Sequence, residues 1–397
     1  MHLLHLSLTN FRNFIHLDTD LNQGPTILVG ENAQGKTSLL EAIYYLAEAN
    51  SPHASNDRQL INFLALEDSP PVARIVAEIS KSDRLQRLEI RLILEPVGEA
   101  GDRRLRKEIL INGIKRRTNE LAGSFNAVLF LPKNLIIVEG SPSERRKYLN
   151  SALVQSDPVY ADALATYQKV ISQRNALLKK LQKRASSPDE LEYWDEQLAN
   201  LGATLMHLRA LALRQLEKYA AEIHRNLTRS DDNLRLEYLP SYNQFPLPHN
   251  QLTETDVEFA VLSRETLRNG LLRELKKIRP AEIRRGVSLL GPHRDDFRFS
   301  VDGMDLRTYG SRGQNRTAMM ALKLGEVQWH YEQTKEWPVL LLDEVLAELD
   351  PQRRDDLLQR VEKVSQAILT TADINMVNSQ FREQAQIWKI SNGQIHR

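Results

Sequence analysis

The sequence predicts an α/β protein: a head built on a mixed sheet with flanking helices, an antiparallel β subdomain, and an α-helical, coiled-coil-like arm. Three observations predict it. Gly30-Glu31-Asn32-Ala33-Gln34-Gly35-Lys36-Thr37 has the spacing G-x-x-x-x-G-K-[ST] of a phosphate loop, between an apolar run and a helical one. Pro338-Val339-Leu340-Leu341-Leu342-Asp343-Glu344 is an apolar strand ending in two acids. From about residue 150, apolar residues recur at three- and four-residue steps over long stretches.

The chain has 397 residues, 41% of them hydrophobic and 26% charged, which is enough for two or three packed units with real cores. Net charge is +1, so the whole molecule is no electrostatic magnet for DNA, although a local basic face is compatible with it. The absence of cysteine excludes disulfides and thiolate metal sites and predicts a reducing, cytoplasmic setting. The N-terminal residues lack the pattern of a signal peptide, and no apolar run reaches membrane-spanning length.

In chain order, Leu3 to Leu8 and Ile15 to Asp18 alternate like strands. Arg12 between them is either a solvated turn residue or a phosphate contact. Thr26-Ile27-Leu28-Val29 reads as a buried strand, and a helix starts at Thr37 and Ser38. Glycines let successive N–H groups of the loop turn inward toward phosphate oxygens, and the helix adds its positive end. Lys36 is placed to reach the β- and γ-phosphates and the Thr37 hydroxyl to ligate Mg²⁺.

Val72 to Ile79, Leu88 to Leu94 and Glu108 to Ile111 follow as strands of an antiparallel sheet, with Asn112-Gly113 as a hairpin turn. Asn126 to Leu131 is another strand. Ser141, Pro142 and Glu144 have the pattern of a capping box opening a helix. Arg145-Arg146-Lys147 on that helix form a solvated face or bind anions. Arg103, Arg104, Lys115, Arg116 and Arg117 are candidate DNA contacts or solvated charges.

Tyr160, Leu164, Tyr167, Ile171, Leu178 and Leu181 share one helical face. Ser186-Ser187-Pro188 breaks the run. Leu191, Trp194, Leu198, Leu201, Leu205 and Leu208 then alternate steps of three and four, as in a coiled-coil seam. Two antiparallel helices projecting as an arm, or a plain helical subdomain, satisfy this pattern. Lys179, Lys180, Lys183 and Arg184 near the tip read as a solvated face. Residues 231–250 read as a loop around one short strand, and 253–277 as helix. Val287 to Leu290 and Phe297 to Val301 read as strands flanking a rigid hairpin, Gly291 to Asp296.

Four apolar residues in a row at Val339–Leu342 require burial on both faces. Asp343 and Glu344 then emerge at the C-terminal edge, where ligands bind in parallel sheets. Asp343 is placed to hold Mg²⁺ opposite Thr37, and Glu344 to orient or deprotonate the attacking water. Ser311, Gly313 and Gln314 open a helix whose start can bind an anion. Thr371, polar at a strand exit, is a candidate γ-phosphate sensor. The expected division is 1–150 for the N-terminal part of the head, 151–285 for the arm and 286–397 for the C-terminal part of the head.

Leu8-x-Asn10-Phe11-Arg12-Asn13, the phosphate loop, Gly140-Ser141-Pro142 to Arg146, Gly291 to Asp296, Ser311-x-Gly313-Gln314 and Asp343 to Asp350, in this order, resemble the RecF family of DNA replication and repair proteins, within the ABC/SMC-type ATPases. The resemblance covers nearly the whole chain. It implies a two-lobed ATPase head with a short helical arm. It further implies an ATP-dependent homodimer in which Ser311, Gly313 and Gln314 meet the partner's nucleotide in trans and Asp350 lies at the interface. Double-stranded and gapped DNA, RecR, RecO and RecA are the implied partners, and slow ATP hydrolysis the implied activity. Glu344 stands where many members carry a second aspartate and is competent to position water. Thr371 occupies the region where ABC ATPases usually carry a switch histidine, which predicts slow turnover. Two other readings fit parts of the chain: a metabolic P-loop kinase or NTPase unrelated to DNA, and a coiled-coil protein with a dead nucleotide site. A nucleotide-triggered monomer-to-dimer change separates the first reading from both.

Overall fold

The computed structural model describes residues 1–67, 70–82, 84–97, 102–242, 262–391 and 393–396. Its described elements are, in order, β1 (His2–Phe11), β2 (Phe14–Asp20), β3 (Gly24–Val29), α1 (Lys36–Glu48), β4 (Val72–Lys81), β5 (Arg84–Val97), β6 (Asp102–Ile111), β7 (Ile114–Arg116) and β8 (Ala127–Phe130). Then come α2 (Ile136–Glu139), α3 (Pro142–Ser156), α4 (Pro158–Gln182), α5 (Leu191–Thr228), β9 (Leu234–Leu239), α6 (Arg264–Arg285), β10 (Asp296–Val301), β11 (Met304–Asp305), α7 (Leu306–Tyr309) and α8 (Arg312–Thr334). The chain closes with β12 (Val339–Leu342), α9 (Pro351–Val361), β13 (Gln366–Thr371), α10 (Ser379–Gln384), β14 (Gln386–Ser391) and β15 (Gln394–His396).

The chain forms two compact units, Met1–Asn134 with Glu326–Arg397, and Leu135–Gly325. The expected boundaries near 150 and 285 both fall inside the second unit.

The first unit holds two six-stranded sheets. The mixed sheet has the order β15-β14-β3-β13-β12-β8, with every pair parallel except β14–β15. Every residue of β8, β12 and β13 is buried, as strands covered on both faces require. Because β3 and β12 run parallel, the phosphate loop after β3 and the acids after β12 leave by the same edge. The second sheet, β2-β1-β4-β5-β6-β7, is antiparallel throughout. It includes β1 and β2, which the sequence pattern does not link to the strands after Val72. Asn112 and Gly113 carry φ of 52° and 79°, the left-handed pair that a tight hairpin between β6 and β7 needs. Phe14, Leu39, Tyr45, Ile75, Leu129, Leu341 and Trp388 belong to one buried cluster that draws on both sheets and α1.

In the second unit, α4 and α5 run antiparallel: Tyr160 meets Arg209 while Arg174 meets Asp195. α6 packs on both. That third helix explains why the buried face of α5 is wider than a two-stranded seam. It takes in Asp195, Ala199, Gly202, Met206 and Arg209, whereas Trp194, Leu201 and Leu208 are only partly buried. The helical stretch after α3 therefore packs as three helices, α4, α5 and α6. At its centre Arg174, fully buried, donates to Asp195 at 2.7 and 2.9 Å, to Glu282 at 2.5 Å and to Ser288 at 2.7 Å.

Three local expectations fail. Ser141 precedes α3, with Pro142 at its first position, but no side chain caps the helix; the Ser141 and Ser143 hydroxyls bond each other instead at 2.7 Å. Val287 to Leu290 forms no strand, so Gly291 to Asp296 is a turn leading into β10 rather than a hairpin. The Arg145-Arg146-Lys147 run is no uniform solvated face. Arg145 is buried against Asp296, Arg146 is half-buried, and Lys147 is exposed. The expected helix over 253–277 starts at Arg264 in the described part; residues 253–261, and 243–250 of the preceding loop, lie outside the described residues.

Candidate nucleotide site

The site is assembled within the first unit. β3 ends at Val29 and α1 begins at Lys36. Between them Ala33 and Gly35 take φ of 66° and 115°. A Cβ on Gly35 would lie 2.6 Å from Asn13 Nδ2, so only glycine fits the turn. At Gly30 a Cβ would lie 2.4 Å from the carbonyl oxygen of Ile390, so glycine here lets β14 pass directly behind the loop. No side chain caps α1, and its first turn holds no acid. Its leading N–H groups are thus left for an anion.

Lys36 is buried, with Nζ 2.5 Å from the Gly30 carbonyl, 3.2 Å from that of Glu31 and 2.9 Å from Glu344 Oε1. The Thr37 hydroxyl lies 3.0 and 2.9 Å from the two Asp343 carboxylate oxygens. This donor set, one hydroxyl and one carboxylate beside a phosphate cradle, suits Mg²⁺, which takes few protein ligands and shares phosphate oxygens. Glu344 sits at φ 51°, in the left-handed region, at the turn after β12. Its main-chain N–H donates to the Thr370 hydroxyl at 2.9 Å, and that hydroxyl donates to Asp343 at 2.8 Å.

Arg12 is not a solvated turn residue. Its Nε and Nη2 each donate to the Glu41 carboxylate at 2.8 Å, and Nη1 donates to the Gln59 carbonyl at 3.2 Å. Glu41 projects from α1, is 2% exposed, and also accepts from the Ser51 hydroxyl. A buried carboxylate of this kind needs such a partner.

A cavity of about 460 Å³ collects these groups, within the roughly 300–1,000 Å³ typical of ligand pockets. Arg12, Glu31, Asn32, Ala33, Gly35, Lys36, Thr37, Ser38 and Glu344 line it. Gly30 and Asp343 stand just behind, through Lys36 and Thr37, and Gln34 accepts from the Gly393 N–H at 3.2 Å. Ser311, Gly313 and Gln314 do not line the cavity; they belong to the second unit. There the Ser311 hydroxyl accepts from Gln314 N–H at 3.2 Å and Gln314 Oε1 from Ser311 N–H at 2.9 Å, a reciprocal cap at the start of α8. All three are exposed.

Thr371 is not the residue at the site. It faces away and closes its own turn on Asp373, accepting from its N–H at 3.2 Å and donating to its carbonyl at 2.9 Å. Thr370, one position earlier, takes the central place. The motif reading also passes over Glu41, Gln59, Ile61 and Phe63. Phe63 is 73% exposed on the cavity wall, while Phe11, Phe14, Phe125 and Phe381 are fully buried. An acid inside the apolar run Leu39-Leu40-Glu41-Ala42-Ile43 was the available signal for Glu41. Of the candidate DNA contacts, Lys115 pairs with Glu108 at 2.7 Å, Arg116 with Glu120 at 3.3 Å, and Arg103 donates to the Leu66 carbonyl at 2.7 Å.

The model of the RecF/RecN/SMC N-terminal domain matches residues 2–396. DNA replication and repair protein RecF of Roseiflexus castenholzii is 37% identical over 407 residues, covering all of both chains. RecF of Bacillus subtilis is 34% identical, again over the whole of both. This chain belongs to the RecF family. Among solved structures, the recombination mediator protein RecF-ATPrS in the RecFOR pathway superposes with a TM-score of 0.83 at 31% identity, covering 99% of this chain and 97% of that one. RecF-ATP in the same pathway gives 0.82 at 30%, covering 100% and 97%. An SMC head bound to the C-winged helix domain of ScpA, at 16% identity and a TM-score of 0.52 over 100% and 96%, shares the fold alone. The RecF-family head with its helical second unit is thus an ABC/SMC-type fold. Among the described residues, no helix is long and apolar enough to cross a membrane.

Proposed function

We propose that this chain is an ATP-dependent DNA-binding protein of replication and recombinational repair. ATP drives two heads together on duplex or gapped DNA, and weak hydrolysis resets them. One observation carries the reading. Lys36, Thr37, Asp343 and Glu344 converge on one cavity, while Ser311, Gly313 and Gln314 lie exposed, in a preformed cap, outside it. The family resemblance supports reading those three residues as the segment that meets a second copy's nucleotide.

The loop N–H groups and Lys36 hold the polyphosphate, and Thr37 with Asp343 hold Mg²⁺. Bound Mg²⁺ would neutralise charge on the β- and γ-oxygens. As Lys36 turns to phosphate, Glu344 loses its ion-pair partner and its carboxylate is released to orient water. Thr370 keeps the Glu344 main chain in place. Arg12, locked on Glu41, presents its remaining donors to the cavity, and Phe63 offers an apolar face to the base. RecO and RecR as partners, and RecA loading, follow from the family resemblance and from the RecFOR setting of the ATP-bound relatives.

The test is molecular mass by light scattering with no nucleotide, with ADP, and with ATP plus Mg²⁺, each with and without short duplex DNA. A dimer formed only with ATP is the expected result. A mass indifferent to nucleotide in both settings refutes the trans-acting site.

A further inference from the structure

Two segments that the sequence reading sets apart, Gly140 to Lys147 and Gly291 to Asp296, play no part in the nucleotide cavity. Within the second unit they meet. Arg145 clasps the Asp296 carboxylate at 2.7 and 2.8 Å, and Arg146 donates to the Asp295 carbonyl at 2.8 Å. Arg209 on α5 donates to the Pro292 carbonyl at 2.6 Å. Beside this junction lies a cavity of about 220 Å³. Arg146, Lys147 and Arg209 form one side of its wall, and Leu164, Ile171 and Leu205 contribute apolar surface. Among the described residues, no Asp or Glu side chain lines it.

The charges around the cavity do not cancel. Lys147 is exposed and pairs with Glu144 at 3.1 Å. Arg209 is 2% exposed, yet its hydrogen bonds go to neutral acceptors: the Tyr160 hydroxyl at 2.9 Å, Asn150 Oδ1 at 2.8 Å and the Pro292 carbonyl. Asp296 is taken by Arg145. Asp295 is left to face Arg146, Arg209 and Arg294, and its carboxylate already accepts from the Tyr238 hydroxyl and the Ser241 N–H at 2.5 and 2.6 Å. Burial, with the Arg209 charge next, holds the Arg146 guanidinium below its ordinary range, and burial raises the Asp295 carboxyl. His293 adds no cation at neutral pH: burial brings it to about 4, and its Nδ1 is 2.7 Å from the Tyr167 hydroxyl. The half-buried Arg146, with Arg209 behind it and one buried carboxylate, Asp295, shared between them and the exposed Arg294, leaves the open cavity suited to an anion. The apolar residues select its body. A phosphate, hydrated on every side, would lose water against Leu164, Ile171 and Leu205 with no donor in exchange.

We propose that this cavity binds an organic carboxylate, with the oxyanion on Arg146 and Arg209 and an apolar stem against Leu164, Ile171 and Leu205. The carboxylate comes either from a free small acid or from the C-terminal end of a peptide chain. Both present the same group.

The test uses the full chain, saturation-transfer NMR and thermal shift. The probes are N-acetyl-leucine, N-acetyl-leucinamide, inorganic phosphate, and a leucine-terminated pentapeptide with a free or amidated end. N-acetyl-leucine should bind and the amide should not. If the free-ended peptide binds more tightly, a chain end is the source; if it is excluded, a small acid is. Arg146→Gln should weaken acid binding by about tenfold or more, as expected for losing a charged hydrogen bond, and leave ATP binding unchanged. Leu164→Glu supplies the cavity with its own carboxylate. It should block the probe while the melting temperature holds or rises, which keeps the question decidable if Arg146→Gln folds poorly. Four results overturn the proposal: no probe bound at millimolar concentration, equal binding of acid and amide, binding of phosphate alone, or acid binding that both variants leave intact.

Discussion

Thr370→Val is the most informative change at the nucleotide site. The hydroxyl does two things at once: it donates to Asp343 at 2.8 Å and accepts from the Glu344 N–H at 2.9 Å. Valine keeps the shape and burial of a fully covered position but does neither. The loss has two parts, a hydrogen bond to a carboxylate and a main-chain N–H left without its partner. Together they should cost about 2–4 kcal/mol of stability, read as a lower urea midpoint at unchanged m-value. The functional effect is sharper than the stability effect. Glu344 occupies a left-handed turn that its N–H contact helps to hold, so freeing it lets the carboxylate wander. ATP hydrolysis should fall by roughly tenfold to a hundredfold, the scale expected for a misplaced reacting group. Affinity for a fluorescent ATP analogue should change far less, because Lys36 and the loop are untouched. Thr371→Val is the control. Its hydroxyl closes a turn on Asp373, so the cost should be about 1 kcal/mol, with turnover retained. Equal effects of the two changes on hydrolysis would refute the assignment of Thr370 as the residue that positions Glu344.

Lys36→Ala should abolish ATP-dependent dimerisation in light scattering, and Glu344→Gln should bind ATP, turn over slowly and accumulate dimer. Ser311→Arg should block the dimer while leaving ATP binding intact, measured by equilibrium binding. Arg174→Ala leaves Asp195 and Glu282 buried without their shared partner and should cost about 3–5 kcal/mol in chemical denaturation. His293 titrates near 6.5 when unfolded and at about 4 when folded, so the unfolded chain takes the proton first. Its contribution to stability is complete above about 6.5 and is lost as pH falls toward 4, by about 3 kcal/mol in all; urea midpoints across that range should fall, and His293→Gln should flatten the slope.

The parts of the site that were legible in the sequence are those where backbone shape and chemistry share one short stretch. The phosphate loop needs its glycines, its lysine and the following helix together, and β12 needs an apolar run ending in acids. Ser311 to Gln314 show a helix start for the same reason, whereas the reciprocal bonds between Ser311 and Gln314 came only with the structure. Long-range pairings were not legible. Nothing near Arg12 announces that Glu41 will receive it, and nothing after Val72 says that β1 will lie beside β4. Thr370 and Thr371 are adjacent on a strand, so their side chains point to opposite faces, and only the pairing against β12 decides which of them meets Asp343. The width of the buried face of α5 depends on α6, which no spacing within α5 reveals. Ser141 has the right residue type for a cap, but Ser143 takes up its hydroxyl.

The order β14-β3-β13-β12-β8 has a consequence for the newborn chain. β3 and β8 are made early, yet they never touch; β13 and β12 lie between them and are translated roughly two hundred residues after β8. At ordinary elongation rates of about 5–20 residues per second, the wait is on the order of tens of seconds. Throughout that time two largely apolar segments leave the ribosome without their sheet neighbours, a ready template for mispairing. The strand that braces the phosphate loop from behind, β14, arrives after all four of the others in this order. The ATP cradle is therefore completed only once β14 has been made, and a ribosome that stalls within the second unit leaves a head that cannot yet hold nucleotide.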